Sequence, residues 1–312
     1  MQTLCSSCAH GSVANDRVQV YYCAKYGGTK RAPRQCRYYE GPDFPIHVAI
    51  ITATEVEYWA VKRHLLPGSE NAWSRYIAQG DLSWCRAEYR PPGSTDGSVI
   101  RLAMAQARRK GLPAAAVQAA KACHVFHPNF LVMLGITAGR RGKTNLGDVI
   151  IPTTVWDYGA GKWVGEEFHP SPDQVPTDEI IERQCELISR DLRADLNAIA
   201  DEWEGTVPEN ARLRVLLGPT ASGAAVVDSK AIWDRIKDAN KDVIAIDMEA
   251  YAVAFAGQEA PLPKPKVLIS KSVCDFGLKK TDGAQEYAAY TSVRFFRLYL
   301  NRYYDMFTPQ IA

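Results

Sequence analysis

The sequence predicts an α/β protein: a mixed, largely parallel central sheet between layers of helices, with a small cysteine-rich module in front of it. Three observations carry that prediction. Apolar runs of strand length recur along the chain, each followed by a stretch of helical periodicity, and a run apolar at every position suits a strand covered on both faces. The chain has 312 residues, 46% hydrophobic and 23% charged, which is enough for one large core plus a small module. Four of its 8 cysteines fall before residue 45, where the composition differs from everything after it.

The same composition excludes several classes. A formal net charge of +2 supplies no global field for a polyanion, so a nucleic-acid partner is not expected. No run of about 18 apolar residues exists to span a bilayer, and no membrane partner is expected. The first residues lack the basic, apolar and small-residue succession of a secretory signal, so the expected compartment is the cytoplasm. There the cysteines should be reduced or metal-bound.

Residues 1–45 carry Cys5-x2-Cys8, then Cys23 and Cys36. This set is compatible with a structural, tetrahedral zinc site able to fold a segment too short for its own core. The second pair lacks CxxC spacing, so an ordinary cysteine-bearing segment and a redox or iron–sulfur role stay open. Gly41-Pro42-Asp43-Phe44-Pro45 reads as the linker to a second domain, 46–312.

In that domain Ile46–Ala53 is a buried strand that runs into an amphipathic helix beginning near Glu55. Ser98–Gln106 is a strand, and an Ala-rich helix through Cys123 follows Gly111-Leu112-Pro113. Asn129–Ile136 is a third apolar strand, ending in Thr137-Ala138-Gly139-Arg140. A further strand begins near Leu146. The stretch from about Gly165 to Asn210 reads as a proline-marked loop followed by polar helix. Then come a strand at Leu213–Leu217, a loop at Gly218–Gly223, a helix near Lys230–Ala239 and the junction VIAIDMEAY at 243–251. A strand at Val267–Val273 and a closing helix rich in Tyr, Phe and Arg complete the chain.

The junction organises the rest. Asp247 and Glu249 stand where an apolar strand turns into a helix, at the sheet edge where ligands of α/β proteins bind. Other strand ends carry similar equipment: Thr52, Ala53, Glu55 and Glu57; Thr137, Ala138 and Gly139; Cys274, Asp275 and Phe276. Small residues let a backbone approach a ligand, and carboxylates move protons or accept from hydroxyls. Each carboxylate also has a plainer reading as a helix cap or ion-pair partner.

The segments IITATEVE, GITAGRRGKTNLGDVII, ASGAAVV, IDMEAYAVA and SVCDFG, in this order, carry a resemblance. From about Ile46 to Tyr304 the chain resembles the purine nucleoside phosphorylase/uridine phosphorylase superfamily, most closely its methylthioadenosine/S-adenosylhomocysteine nucleosidase branch. The resemblance implies a three-layer fold, a homo-oligomer and cleavage of an N-glycosidic bond without a catalytic cofactor. It implies Asp275 as the acid that protonates purine N7, Glu249 on the ribose hydroxyls with Met248 packed against the sugar, and Glu57 as the group that activates water. Thr52, Ala53, Thr137, Ala138, Gly139, Val226, Cys274 and Phe276 would line the substrate. An oxocarbenium-like sugar needs this division of labour, as glycoside hydrolases show with two carboxylates.

Departures from the pattern bear on substrate. The superfamily's phosphorylases carry a Gly-Asp-Pro-x-Arg phosphate segment where this chain has Thr52-Ala53-Thr54-Glu55-Val56-Glu57, so hydrolysis is expected and phosphorolysis is the alternative. Ser222-Gly223-Ala224-Ala225-Val226 lacks the branch's base-stacking Phe. Arg140, Arg141 and Lys143, Arg108-Arg109-Lys110 and Lys279-Lys280 are cations at sheet ends, suited to phosphate or simply solvated. Trp156–Trp163 walls the site or packs an interface. The substrate that the resemblance and these departures lead us to expect is a purine nucleoside or nucleotide. Two further readings remain: an ATP- or AMP-depleting effector in stress or antiviral defence, and a module that senses nucleotides without cleaving them.

Overall fold

The computed structural model describes residues 45–66, 72–78, 81–92, 99–209, 211, 213–278 and 282–307, and the backbone of three short strands nearer the N-terminus. Two units separate at Pro45. In the first, β1 (Gly11–Asn15), β2 (Val20–Cys23) and β3 (Gly28–Arg31) form an antiparallel meander. The zinc set proposed from spacing lies outside the described residues at Cys5, Cys8 and Cys36, and Cys23 is described only in backbone.

The second unit begins with β4 (Val48–Thr52), α1 (Glu55–His64), β5 (Ser74–Ala78), β6 (Asp81–Tyr89), β7 (Ile100–Gln106), α2 (Leu112–Phe126), β8 (Phe130–Gly139) and β9 (Val149–Asp157). A hairpin, β10 (Gly161–Val164) and β11 (Glu167–Pro170), precedes β12 (Gln174–Pro176), α3 (Glu179–Asp191) and α4 (Arg193–Asp201). The chain closes with β13 (Val215–Ser222), α5 (Lys230–Ala239), β14 (Ala245–Asp247), α6 (Ala250–Gln258), β15 (Lys266–Asp275) and α7 (Gln285–Arg302).

The sheet is mixed. β4 lies parallel to β7 and β8, β8 parallel to β15, and β13 parallel to β9 and β14. β14 meets the end of β8 antiparallel, and β15 meets β9 antiparallel, so the pairings β8, β15, β9, β13 and β14 close on themselves. That closure gathers the ends of β8, β14 and β15 around one point.

Alternation along β8 explains the layers. Val132 and Leu134 join the core under α7 with Tyr287, Phe295 and Phe296, whereas Leu131 lies against α6 at Gly257. With both faces covered, every position from Val48 to Ile51 is buried, which is why β4 reads as an unbroken apolar run.

Three segments depart from expectation, the first being the loop expected at Gly218–Gly223, where β13 instead stays paired in the sheet as far as Ser222. The stretch after Gly161 is a β-hairpin and a short strand paired with β9 before the helices begin, where only loop and helix were expected. β5 and β6, unassigned from sequence, extend the sheet antiparallel beyond β7. Their edge is half-wet: Ala87 and Tyr89 are buried while Glu88 is exposed.

The Leu-Gly-Asp-Val segment is structural. The buried Asp148 carboxylate accepts from Asn145 N (2.7 Å) and from Arg214 N (3.2 Å) and Nε (3.1 Å). Backbone bonds from Gly147 N to Val273 O and from Val273 N to Asp148 O tie this turn to β15. Gly147 has φ +82°, and a Cβ there would meet the Tyr287 ring at 2.3 Å, so the turn requires glycine.

Candidate active site

The first wall forms where β4 passes into α1. Thr54 is the N-cap: its Oγ1 accepts from Glu57 N at 3.3 Å, and Glu57 Oε2 accepts from Thr54 N at 2.8 Å, a reciprocal capping box. The same Oε2 accepts from Ala53 N at 2.7 Å, and Oε1 accepts from Ile136 N at 2.8 Å. Both oxygens of a side chain 2% exposed are therefore aimed by backbone. Gly135 makes the room, since a Cβ there would lie 2.2 Å from Oε1. Burial raises the Glu57 pKa above the usual glutamate range and nearby Glu249 adds to this, while Lys271 and the Ile136 and Ala53 amides pull the other way.

The second wall is the junction of β14 with α6. Asp247 Oδ2 accepts from Glu249 N (3.3 Å) and Ala250 N (2.8 Å), capping α6, and Oδ1 accepts from Ser222 Oγ. Glu249 points elsewhere. Its Oε1 accepts from Gly111 N at 2.9 Å and its Oε2 from Lys271 Nζ at 2.8 Å.

Lys271 is the site residue that sequence reasoning missed. Its Nζ lies 2.8 Å from both Asp247 Oδ2 and Glu249 Oε2, and it is 3% exposed. Burial alone would discharge it, but Asp247, Glu249 and Glu57 outweigh that and hold its pKa above the ordinary lysine value. The signal was available: a lysine inside the apolar run Val267–Val273 requires buried carboxylates. One ammonium among three carboxylates leaves this wall negative.

The third wall is the end of β15. Asp275 is half-buried, its Oδ1 accepts from Gly277 N at 2.6 Å, and the Cys274 thiol lies 3.4 Å from Oδ2. Gly277 has φ +62°, and Trp233 Nε1 on α5 donates to Phe276 O at 3.1 Å, fixing the turn after the acid.

These walls enclose a cavity of about 200 Å³. Glu57, Glu249 and Asp275 line it together, with Thr137, Ala138, Val226, Met248 and Cys274. The remaining sequence candidates do not. Thr52 and Ala53 are buried at the end of β4, Gly139 lies against Thr144 and Val273, and Phe276 carries the Arg141 guanidinium 4.7 Å from its ring centre. Arg140 Nη1 donates to Lys241 O (2.6 Å) and Val243 O (3.1 Å), and Lys143 is exposed; the three cations of this loop stand off the cavity. Lys110 lines it instead. Of the aromatic segment, Trp156 is buried core, and Tyr158 Oη donates to Ala225 O (3.2 Å), propping the wall loop that carries Val226.

Known proteins share this architecture. Residues 47–296 match the phosphorylase superfamily. The chain is 28% identical over 247 residues to the ATP nucleosidase Cap17 of Escherichia coli, covering 76% of this chain and 47% of that protein. It is 36% identical over 187 residues to y4jS of Sinorhizobium fredii, covering 58% and 45% respectively. The chain thus spans about half the length of these relatives. Among solved structures it is similar to the 5′-methylthioadenosine/S-adenosylhomocysteine nucleosidase of Neisseria meningitidis (TM-score 0.59, 20% identity, 82% of this chain and 98% of that one). The futalosine hydrolase of Helicobacter pylori is comparable (TM-score 0.60, 15% identity, 83% and 98%). With 250 consecutive residues matched, the chain belongs to the phosphorylase superfamily.

Proposed function

We propose that this domain hydrolyses the N-glycosidic bond of a purine nucleoside or nucleotide and releases the free base. The observation that carries the reading is that Glu57, Glu249 and Asp275, supplied by three different strand-to-helix and strand-to-loop junctions, line one cavity. Asp275 would protonate N7 as the C1′–N9 electrons move onto the base. Glu249 would accept from the ribose hydroxyls, and the negative wall it shares with Asp247, Glu57 and Lys271 would favour positive charge developing at C1′. Glu57 would take a proton from the water whose oxygen bonds to C1′. Met248 and Val226 supply apolar surface for the sugar and base.

A buried carboxylate in the place of a phosphate cradle supports water as the nucleophile, because phosphate would be repelled there. The likeness to an ATP nucleosidase supports keeping nucleotides among the substrates, and with them the reading as a nucleotide-depleting effector. Homo-oligomerisation, implied by the resemblance, is part of the proposal and is checked by sedimentation.

The test is product analysis by mass spectrometry after incubation with adenosine, methylthioadenosine, AMP and ATP, with and without phosphate. Free adenine with ribose or its 5′-derivative is expected. Ribose 1-phosphate would establish phosphorolysis; binding without any free base would leave a sensor.

A further inference from the structure

We propose that the loop 107–111 reads the 5′-phosphates of the substrate, through Lys110 with Arg108 and Arg109 beside it, so that the preferred substrates are nucleoside 5′-phosphates. This rests on the N-glycosidase reading above and narrows it.

The loop is tied to the sugar end of the cavity. Gly111, in the left-handed region at φ +106°, donates its N–H to Glu249 Oε1 at 2.9 Å. The residue before it, Lys110, lines the same cavity as Glu249 and Glu57. A sugar whose hydroxyls face Glu249 therefore carries its 5′ substituent beside this loop, whereas the base faces Asp275.

Charge points the same way. Arg108, Arg109 and Lys110 are all exposed, and among the described residues none of the three is held in an ion pair. The first turn of α2, which starts at this loop, contains no acid to oppose them. The deep wall, in contrast, sets three carboxylates against the single ammonium of Lys271. A phosphate would be repelled from that depth and drawn to the rim, so the two fields together orient a nucleotide with its sugar inward and its phosphates at Lys110. Of the other cations, Arg140 is committed to the carbonyls of Lys241 and Val243 and Arg141 to the Phe276 ring, Lys143 stands off the cavity, and Lys279 and Lys280 lie outside the described residues.

The experiment measures adenine release from adenosine, AMP and ATP by the wild-type chain and by Lys110→Met, Arg109→Gln and, as a control off the cavity, Lys143→Met. For Lys110→Met the loss of kcat/KM on AMP and ATP should exceed the loss on adenosine by about 10- to 100-fold, the size of a charge-assisted contact. Added salt should erode the wild-type preference for phosphorylated substrates. Lys143→Met should shift the ratio less than about twofold. Equal losses on all three substrates would overturn the inference and leave the glycosidase intact. If no substrate releases adenine, the glycosidase reading fails, and calorimetric binding of AMP and adenosine decides this one separately. A selective loss of AMP affinity in Lys110→Met upholds it; equal affinities overturn it.

Discussion

The capping and the proposed catalysis ask opposite things of Glu57. As the capping-box glutamate it satisfies three backbone amides, whereas the proposed role as base requires it to be ionised in a buried place. Burial raises its pKa, so kcat/KM should fall as the pH drops through a value above the ordinary glutamate range. The stability sign is the reverse: a raised acid favours the folded state at low pH, and that contribution is lost as the pH rises through the raised value. Glu57→Gln should cut kcat roughly 10²- to 10⁴-fold and abolish the acidic limb, with an unfolding cost of only about 1–3 kcal/mol from the amide facing one backbone donor. A pH–rate profile with parallel thermal melts checks both. Lys271 behaves oppositely. Lys271→Met leaves Asp247 and Glu249 buried without their cation, so the unfolding free energy should drop by about 3–5 kcal/mol in urea titrations.

Strand β8 supplies its contribution by what it lacks. Gly135 sits where a methyl would lie 2.2 Å from Glu57 Oε1, so Gly135→Ala must push the carboxylate off the Ile136 amide. Activity should fall on the order of 10²-fold, as for a misplaced catalytic group, while far-ultraviolet circular dichroism stays unchanged. Neighbouring elements show what could be read early. β4 and β8 were legible because strands buried on both faces are largely apolar, and α5 because its apolar face recurs at helical spacing. The β10–β11 hairpin was not, since all four residues of β10 are exposed and leave no alternation to read. Its cues are local: Gly165 at φ +61° opens a two-residue turn, and Trp163 pairs with Phe168 across the strands.

At the scale of the whole molecule, the described residues that line the cavity all lie beyond Pro45, where the chain divides. A fragment of residues 46–312 should unfold in one cooperative transition and keep the proposed base-releasing activity within about threefold of the full chain's; loss of either, by calorimetry and adenine release, would show that the first unit completes the domain. No helix among the described residues is long and apolar enough to cross a membrane. By itself the sequence determined the α/β class, most of its elements and the three carboxylates at their junctions, because burial on both faces and helical period are written into consecutive residues. It also exposed the departures from the nucleosidase pattern. Only the tertiary structure decided which side chains share the cavity: it seated Lys271 between Asp247 and Glu249, turned Arg140 to carbonyls, and brought Lys110 to the rim. The reason is that a cation's partner is chosen by strand pairing between residues far apart along the chain, here β15 against β8 and β14 against the end of β8. Local spacing carries no record of that choice.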